Sequence, residues 1–345
     1  MDAPLGCIQK NTGSDLMLIL TKEDIKKVFT MEDAIEADKE ALKIYSKGES
    51  IVPLRVNIDI PKYEGQSLFM PAYVEGIDAT GIKIVSVFPK NIEIGKPSIP
   101  AQMILLDGKT GEVTAIMDGT YLTQLRTGAV QGAATDILAT KNAKIAVLFG
   151  TGGQAPSQLE AMICVRDLDE VRIFDINESR AEEFVEDMKV KLAKYNTRII
   201  AVKDGNEAIK DADIITTVTT SKRPVFNGSL VKKGAHVNGI GAYTPKMQEL
   251  DEVLIKKSDK IYFDTKEGVL AEAGDFIIPM EKGIISNKDF EGELGQVISG
   301  EILGRESDDE ITLFKTVGIG VLDLVTAYRI YEKAIKNNVG TNIEI

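Results

Sequence analysis

The sequence has few of the residues on which many enzymes depend: it contains one histidine, two cysteines and no tryptophan among its 345 residues. With His236 as its single imidazole, the chain cannot form a metal centre that needs two histidines, and a Ser–His–Asp triad would have to include His236. Cys7 and Cys164 are too few for a disulfide scaffold and are typical of a reducing compartment. We therefore expect the chemistry to depend on Lys, Arg, Asp, Glu, Tyr or a cofactor, with no metal.

Long apolar runs and a basic surface are also missing. No uninterrupted apolar stretch approaches the roughly 18 residues of a membrane-spanning helix, and residues 1–16 are polar, rich in turn formers and without periodicity. The net charge of −12 argues against nucleic acid and anionic membranes as partners. We expect a cytoplasmic protein that binds small molecules, with residues 1–16 as a disordered extension.

The first third of the chain mixes helix and strand signals. Thr30-x-x-Asp33 resembles a capping box, and it predicts a helix that ends at Lys47-Gly48. Residues 53–60 alternate apolar with polar side chains, which predicts a strand with one dry face, and further strands are predicted over 81–88 and 101–107. Strands without long helices between them indicate a mostly antiparallel or mixed sheet.

The pattern changes near residue 120. Residues 120–139 predict a helix rich in small side chains. Short apolar strands then alternate with amphipathic helices, and these strands are predicted at 145–150, 171–175, 198–202, 213–219, 235–241 and 260–264. Such alternation is typical of a doubly wound α/β domain with a parallel sheet covered on both faces. Residues 311–337 predict one long amphipathic helix with a glycine-containing lead-in.

A glycine loop stands between the first of these strands and the next helix. Its residues are Gly150, Thr151, Gly152, Gly153, Gln154 and Ala155. The first glycine permits a tight turn, the second lets the backbone approach a pyrophosphate, and Ala155 allows close helix–strand packing. Asp175, followed by Ile176, ends the next strand, where a carboxylate accepts hydrogen bonds from ribose hydroxyls. The pattern predicts a dinucleotide site; the alternative is a tight turn whose glycines serve packing, with Asp175 or Asn177 capping the next helix.

Asp175 also bears on which dinucleotide is bound. A carboxylate at this position repels a 2′-phosphate, and no arginine follows it directly to receive one. NAD(H) is therefore favoured, while NADP(H) stays possible because Arg172 and Arg180 are near in sequence.

Cations in the first third are the other candidates for function. Arg55 lies on the polar face of its predicted strand, where the simplest interpretation is a solvated side chain. Lys83 shares a strand face with valines, so its ammonium needs an anionic partner or becomes partly neutral. Arg126 lies in the small-residue helix, where it binds a carboxylate ligand or pairs with an acid on a neighbouring helix.

From residue 17 to its C-terminus the chain resembles the ornithine cyclodeaminase/μ-crystallin family. The resemblance is carried by MPAY (70–73), GIKIVSVFPKN (81–91), MDGTYLTQLRTGA (117–129), GTGGQA (150–155), NGIGAYTPKMQELD (238–251) and GRESDDEITLFKTVGIGVLD (304–323). In that family a Rossmann-type domain is inserted in a mixed α+β domain for substrate binding and dimerisation. The resemblance implies an NAD(H)-binding domain over 129–315, a second domain formed by 17–128 plus 316–345, and a homodimer.

The resemblance also implies a reaction and its residues. Family members transfer hydride between nicotinamide and the α-carbon of a small imino or amino acid. By position, Arg55, Lys83 and Arg126 match the family's carboxylate-binding cations, and Met70 begins the matching MPAY segment. Lys83 would polarise or protonate an imine, and Tyr243 would donate a proton or shape the pocket. The segments that match the cofactor lining contain Thr127, Thr217, Val218, Thr219, Asn238, Gly239, Ile240, Val317 and Gly318.

Two departures separate the chain from cyclodeaminases. Tyr243 stands where they carry an aspartate, and Leu68 where they carry a glutamate near the substrate amine. Without these acids the distal ammonium of ornithine has no evident counter-ion. A reductase of cyclic ketimines such as Δ1-pyrroline-2-carboxylate, or an alanine dehydrogenase, is therefore favoured. The alternatives are an ornithine cyclodeaminase that recycles NAD and a non-catalytic nucleotide-binding protein.

Overall fold

The computed structural model describes residues 16–344, and their strands form two separate sheets. The predicted extension over residues 1–16 lies outside the described residues, apart from Leu16, which begins the first strand. The predicted capping box is present: the Thr30 hydroxyl accepts from the Asp33 backbone N–H, and the helix continues to Ser46. No helix in the described range is long and apolar enough to cross a bilayer.

The first sheet contains the strands of the N-terminal third and the last strand of the chain. These are β1 (Leu16–Leu20), β2 (Ser50–Ile51), β3 (Val56–Ile60), β4 (Gly65–Val74), β5 (Ala79–Val87), β6 (Ala101–Asp107), β7 (Val113–Asp118) and β16 (Thr341–Glu344). Their order is β16-β1-β7-β6-β5-β4-β2, and β3 pairs with β4. Only the β1–β7 pair is parallel, so the predicted mixed, mostly antiparallel sheet is confirmed.

The second sheet is parallel throughout. It comprises β8 (Ile145–Phe149), β9 (Glu170–Phe174), β10 (Arg198–Ala201), β11 (Ile214–Thr217), β12 (His236–Gly239), β13 (Lys260–Phe263), β14 (Gly292–Glu293) and β15 (Thr312–Lys315). The order is β10-β9-β8-β11-β12-β15-β13-β14, so the winding direction reverses between β8 and β11. This confirms the Rossmann-type doubly wound fold, whose ligand crevice lies at the carboxyl ends of the strands beside that reversal.

The helices cover both sheets. They are α1 (Lys22–Val28), α2 (Met31–Ser46), α3 (Gly119–Leu138), α4 (Ala155–Val165), α5 (Glu178–Lys191), α6 (Gly205–Ile209), α7 (Glu252–Lys257), α8 (Lys266–Glu272), α9 (Gly274–Glu281), α10 (Leu294–Ser299) and α11 (Gly320–Lys336). The long helix α3 packs between α2 and α4. A β-carbon at Gly128 would lie 2.5 Å from the Ser157 carbonyl oxygen, so the small residues of α3 permit this close helix contact.

Two predictions about local structure are wrong. Residues 311–337 are not one helix: 312–315 form β15, which lies between β12 and β13, and α11 begins only at Gly320. A run of four buried residues does not distinguish strand from helix by periodicity, and Gly318, with φ of +79°, ends the extended segment. The face of β3 predicted to be dry is exposed, since Val56 and Ile58 are 57% and 50% exposed.

Candidate active site

The glycine loop connects β8 to α4 at the carboxyl edge of the parallel sheet. Gly150 has φ of +98°, and a β-carbon there would lie 3.0 Å from both the Thr219 side chain and the Val218 carbonyl oxygen. A β-carbon at Gly152 would have no heavy atom within 4 Å in the described chain. Gly150 is therefore required by the turn, whereas packing does not require Gly152, which leaves space beside the backbone for a ligand.

The N-terminus of α4 faces the same loop. Gln154 occupies the N-cap position without a capping side-chain hydrogen bond, and its buried Oε1 has no hydrogen-bond partner in the described residues. Backbone N–H groups at such a helix start favour an anion, and phosphate is the usual one. The loop and helix thus fit the pyrophosphate of a dinucleotide.

Asp175 is held in place by the glycine loop. Its Oδ2 accepts from the Thr151 backbone N–H at 3.0 Å and the Thr151 hydroxyl at 2.7 Å, and its Oδ1 accepts from the Asn177 N–H. Burial raises the pKa of this carboxyl, but the hydrogen bonds outweigh burial and lower the pKa below its usual value. Asn177 caps helix α5, as the alternative interpretation allowed, whereas Asp175 binds the backbone and the side chain of Thr151 in the glycine loop. The next residue, Ile176, is 96% exposed.

The arginines that left NADP(H) open have different surroundings. Arg172 forms ion pairs with Glu170 and Asp211, which engage its guanidinium. Arg180 lies near enough to Asp175 for its charge to contribute to the lowered pKa of that carboxyl.

The ends of β11 and β12 supply the next predicted residues. Thr217 is buried, its hydroxyl has no hydrogen-bond partner within residues 16–344, and its carbonyl accepts from Ile240 N–H. The Thr219 N–H donates to Glu249 Oε1 at 2.5 Å, and Glu249 Oε2 accepts from the backbone N–H groups of Gly241 and Ala242. One buried carboxylate therefore fixes both loops that follow these strands, a role for Glu249 that the sequence analysis did not predict.

Asn238 does not point into this crevice. Its amide donates to the hydroxyls of Thr135 and Thr216, and its oxygen lies 2.9 Å from His236 Nε2. His236 is fully buried, and burial together with the charge of Arg305 lowers its pKa to about 3. The two side chains form a core network, as expected for His236, and we propose no cofactor contact for the Asn238 amide. Thr127, on α3, has its carbonyl engaged by Gln158 Nε2 at 2.8 Å.

Val317 and Gly318 form the turn between β15 and α11. Their N–H groups both donate to Asp264 Oδ2, which also accepts from the Thr316 hydroxyl. A β-carbon at Gly318 would lie 2.7 Å from Arg126 Nη1. Asp264 thus fixes the turn that contacts Arg126, and glycine is required there for both conformation and space.

Lys83 and Arg126 converge on one carboxylate. Asp323 of α11 lies with Oδ1 2.8 Å from Lys83 Nζ and 2.8 Å from Arg126 Nε, and the three side chains are buried. Of the two alternatives for Arg126, an ion pair with an acid on a neighbouring helix is present, and that acid is Asp323. The same acid is the anionic partner of Lys83. A carboxylate in the apolar run of α11 was the signal in the sequence that could have identified Asp323.

The ammonium of Lys83 is strongly perturbed. Burial and the positive charge of Arg126 lower the pKa of Lys83 to about 7, although Asp323 acts in the opposite direction. Lys83 pairs across the sheet with Met70, another predicted residue. A lysine with this pKa gains and loses its proton near neutral pH, which suits proton transfer.

Arg55 lies in the cleft and not in solvent. Its guanidinium pairs with Glu272, with Nε donating to Oε1 at 2.8 Å and Nη2 to Oε2. Burial and the charge of Arg126 lower the pKa of Arg55. Arg55 and Met70 line a cavity together with Val317, Gly318 and Glu272.

Tyr243 follows β12 on the loop that Glu249 fixes. Burial raises the pKa of its hydroxyl, and the charge of Arg55 opposes that rise. The structure therefore brings Tyr243 and Arg55 close enough to interact electrostatically. Lys83, Arg126 and Arg55 come from three distant segments. Lys83 and Arg126 share Asp323, and Gly318 lies beside Arg126 and lines the same cavity as Arg55. Asp175 and the glycine loop lie at the edge of the parallel sheet.

The fold and the glycine loop define the class: a Rossmann-type dinucleotide-binding enzyme. The chain belongs to the ornithine cyclodeaminase/mu-crystallin family, whose model matches residues 16–338.

Relatives of this chain share nearly its whole length. A Δ1-pyrroline-2-carboxylate reductase of Bacillus cereus is 40% identical over 328 residues, covering 95% of this chain and 100% of the relative. The solved Δ1-pyrroline-2-carboxylate reductase of Thermococcus litoralis, in complex with NADH and L-proline, is 41% identical with a TM-score of 0.90, covering 95% and 100%. An archaeal alanine dehydrogenase dimer with bound NAD is 36% identical with a TM-score of 0.87, covering 96% and 99%. The expected class, an NAD(H)-dependent oxidoreductase, is confirmed.

Proposed function

We propose that the chain reduces a small cyclic 2-imino acid of the Δ1-pyrroline-2-carboxylate type with NADH. The observation that carries this proposal is the convergence of Lys83 and Arg126 on Asp323, beside the cavity lined by Arg55 and Met70. Cations around a small cavity favour a substrate with one carboxylate. The reductases among the relatives support the imine as the reacting group.

In the proposed reaction the imine carbon gains a hydride and its nitrogen gains a proton. NADH, when bound, supplies the hydride, and the glycine loop with Asp175 would hold it. Arg126 and Arg55 bind and orient the substrate carboxylate, because guanidinium groups bind carboxylates through bidentate hydrogen bonds. Lys83 holds the proton for the imine nitrogen, and Tyr243 closes the pocket from the loop after β12.

We further propose that the two sheets correspond to two functional parts. The parallel sheet lies within residues 129–315, assigned to NAD(H) binding. Apart from Leu16 at the start of β1, the mixed sheet lies within 17–128 plus 316–345, assigned to substrate binding and dimerisation. Sheet membership supports this division, since β8 to β15 share one sheet while β16 rejoins β1. Helix α11, which carries Asp323, packs against β4, β5 and β6.

We also propose that the protein is a homodimer. The support is an apolar surface formed by Ile51, Leu54, Val56 and Ile58, each at least half exposed. Ile51 lies on β2, Val56 and Ile58 lie on β3, and Leu54 lies in the segment between these strands. An exposed set of large aliphatic side chains is typical of a subunit interface. The alanine dehydrogenase among the relatives is a dimer.

The function is tested by following NADH absorbance with pyrroline-2-carboxylate, piperideine-2-carboxylate, and pyruvate with ammonia. Proline formation from ornithine is assayed separately with catalytic NAD⁺. We expect NADH consumption with a cyclic imine. Proline formation without net NADH change would instead show a cyclodeaminase. No reaction in either assay would show a binding protein.

The role of Lys83 is tested in the same assay. We expect Lys83→Ala to lower kcat by about 100-fold or more, the usual contribution of a positioned proton donor, while NADH binding measured by fluorescence stays unchanged. A kcat within a few-fold of wild type would show that Lys83 is only structural.

A further inference from the structure

Arg55 and Glu272 form a bidentate ion pair between the part of the chain that contains the mixed sheet and the part that contains the parallel sheet. Arg55 immediately precedes β3 of the mixed sheet, and Glu272 is the last residue of α8, which follows β13 of the parallel sheet. The two side chains are 11% and 20% exposed. The pair therefore lies within the cleft between the sheets and not on the outer surface.

Arg55 binds Glu272 through the same bidentate hydrogen bonds that it would use to bind a substrate carboxylate. A guanidinium group binds a carboxylate most strongly through two parallel N–H···O bonds along one edge. On Arg55 the Nε and Nη2 edge is filled by the two oxygens of Glu272. A substrate carboxylate that uses this edge must first displace Glu272.

The carboxylate of Glu272 has Arg55 as its ion-pair partner in the described residues. Glu272 is the last residue of α8, whose dipole disfavours a carboxylate there, and it directly precedes Ala273, the N-cap of α9, whose dipole favours one. The two helix ends therefore act on Glu272 in opposite directions, and its direct contact is the ion pair with Arg55.

The cavity beside the pair is small. It has a volume of about 40 Å³, and Arg55, Met70 and Glu272 are among its lining residues. Because Glu272 both lines this cavity and occupies the guanidinium of Arg55, its release from Arg55 would free the guanidinium and enlarge the cavity.

We propose that Glu272 is a specificity-determining residue that competes with the substrate carboxylate for Arg55. It thereby weakens the affinity of the site for carboxylates, so that only a ligand that also engages Arg126 displaces it. The inference rests on the proposed function, because it assigns Arg55 to the substrate carboxylate. Glu272 does not contact the reacting atoms in this scheme.

The test compares Glu272→Gln with Glu267→Gln. Both acids line the cavity, but in the described residues only Glu272 pairs with Arg55, so Glu267→Gln is a matched control for loss of one negative charge. We expect Glu272→Gln to lower the KM for pyrroline-2-carboxylate about two- to fivefold, the range of a partly exposed ion pair. The kcat should change less than KM, and the fall in KM should be smaller in Glu267→Gln than in Glu272→Gln.

A binding measurement gives a second readout. Calorimetric titration of the NADH-loaded enzyme with L-proline should show tighter binding to Glu272→Gln than to wild type. The wild-type enzyme could be active while Glu272→Gln has an unchanged or higher KM and dissociation constant. That result would overturn this inference but not the proposed function, and it would show that Glu272 orients Arg55. A fall of the same size in Glu267→Gln would also overturn it, by showing a general charge effect. A wild-type enzyme that reduces no imino acid would overturn the proposed function, and the inference with it.

Discussion

At the scale of single residues, the cleft is positively charged because its buried cations outnumber the ionised carboxylates beside them. Asp323 contacts both Lys83 and Arg126, and its Oδ2 has no hydrogen-bond partner in residues 16–344. Asp38 of α2 lies close enough to interact with Arg126 and Asp323, but burial raises its pKa well above the usual range and favours the neutral form. When Lys83 is protonated, Lys83 and Arg126 then share Asp323 as their counter-ion, which leaves a net positive charge for an anionic ligand in a protein of net charge −12.

The lowered pKa of Lys83, about 7, predicts a pH dependence. Below this pKa the ammonium carries the proton that imine reduction consumes, and above it the amine does not. We therefore expect kcat/KM for imine reduction to fall as pH rises through about 7, because kcat/KM reports the ionisation of the free enzyme. In Lys83→Arg the guanidinium keeps its charge, so this alkaline limb should be lost even though the rate is lower. The same limb in both enzymes would assign the titration to the substrate or to another group.

Asp323→Asn tests the shared counter-ion. Removing one partner of a buried ion pair leaves uncompensated charge, which costs about 3 kcal/mol or more of folding free energy. Asp323 also raises the pKa of Lys83, so its loss should move the alkaline limb of kcat/KM to lower pH. Urea unfolding and the pH profile measure the two effects. Glu332→Gln, on the same helix and in a partly exposed pair with Arg329, is the control. A variant with wild-type stability and an unmoved limb would contradict the assigned role.

At the scale of elements, periodicity identified those whose neighbours are local in sequence. The helix predicted over 120–139 is α3, and its small residues are explained by the contacts of Gly128 with Ser157 and Gly132 with Ile35. Each of the six strands predicted between 145 and 264 is present in the parallel sheet. β15 could not be identified in the same way, because its four buried residues acquire a strand conformation from pairing with β12 and β13.

The loops after β11 and β12 depend on Glu249, which predicts an effect of Glu249→Gln. The carboxylate accepts from Thr219 N–H with one oxygen and from Gly241 and Ala242 N–H with the other. A glutamine must place an NH₂ group against one of these donors, which costs about 2 kcal/mol for the unsatisfied group. We expect lower stability in urea and weaker NADH binding by fluorescence titration.

The control for this prediction is Glu252→Gln, three residues away. Glu252 pairs with Lys282 at the surface, and its loss leaves the two loops intact. If both variants bind NADH equally well, Glu249 does not hold the loops after β11 and β12 in the conformation that binds NADH, even if Glu249→Gln lowers stability.

At the scale of the whole molecule, the limits of sequence analysis follow from how the cleft is assembled. The glycine loop and Asp175 could be predicted because a strand, a turn and a helix are adjacent in the chain. Lys83 could be singled out because a lysine among valines is unusual on a strand. The partners Asp323 and Glu272 are about 240 and 220 positions from Lys83 and Arg55, and no local pattern links residues so far apart.

The exposed face of β3 gives the prediction that concerns the assembly. The exposed apolar side chains are Val56 and Ile58 on β3, Ile51 on β2 and Leu54 in the segment between them, and both strands pair with β4. Burying this surface against a second copy removes it from water, which provides the driving force for association. We expect the wild-type protein to elute as a dimer in size-exclusion chromatography with light scattering, and Ile58→Glu to shift it to monomer by placing charges in the interface.

Val190→Glu is the control for this experiment, since Val190 is 78% exposed on α5 of the parallel-sheet part. It adds the same charge to an exposed aliphatic position outside the proposed interface, and it should remain dimeric. Because Arg55 directly precedes β3, disruption of the interface at Ile58 should also disturb the position of Arg55 and raise the KM for the imino acid. A wild-type monomer, or an Ile58→Glu variant that stays dimeric with unchanged KM, would show that this apolar surface has a different role.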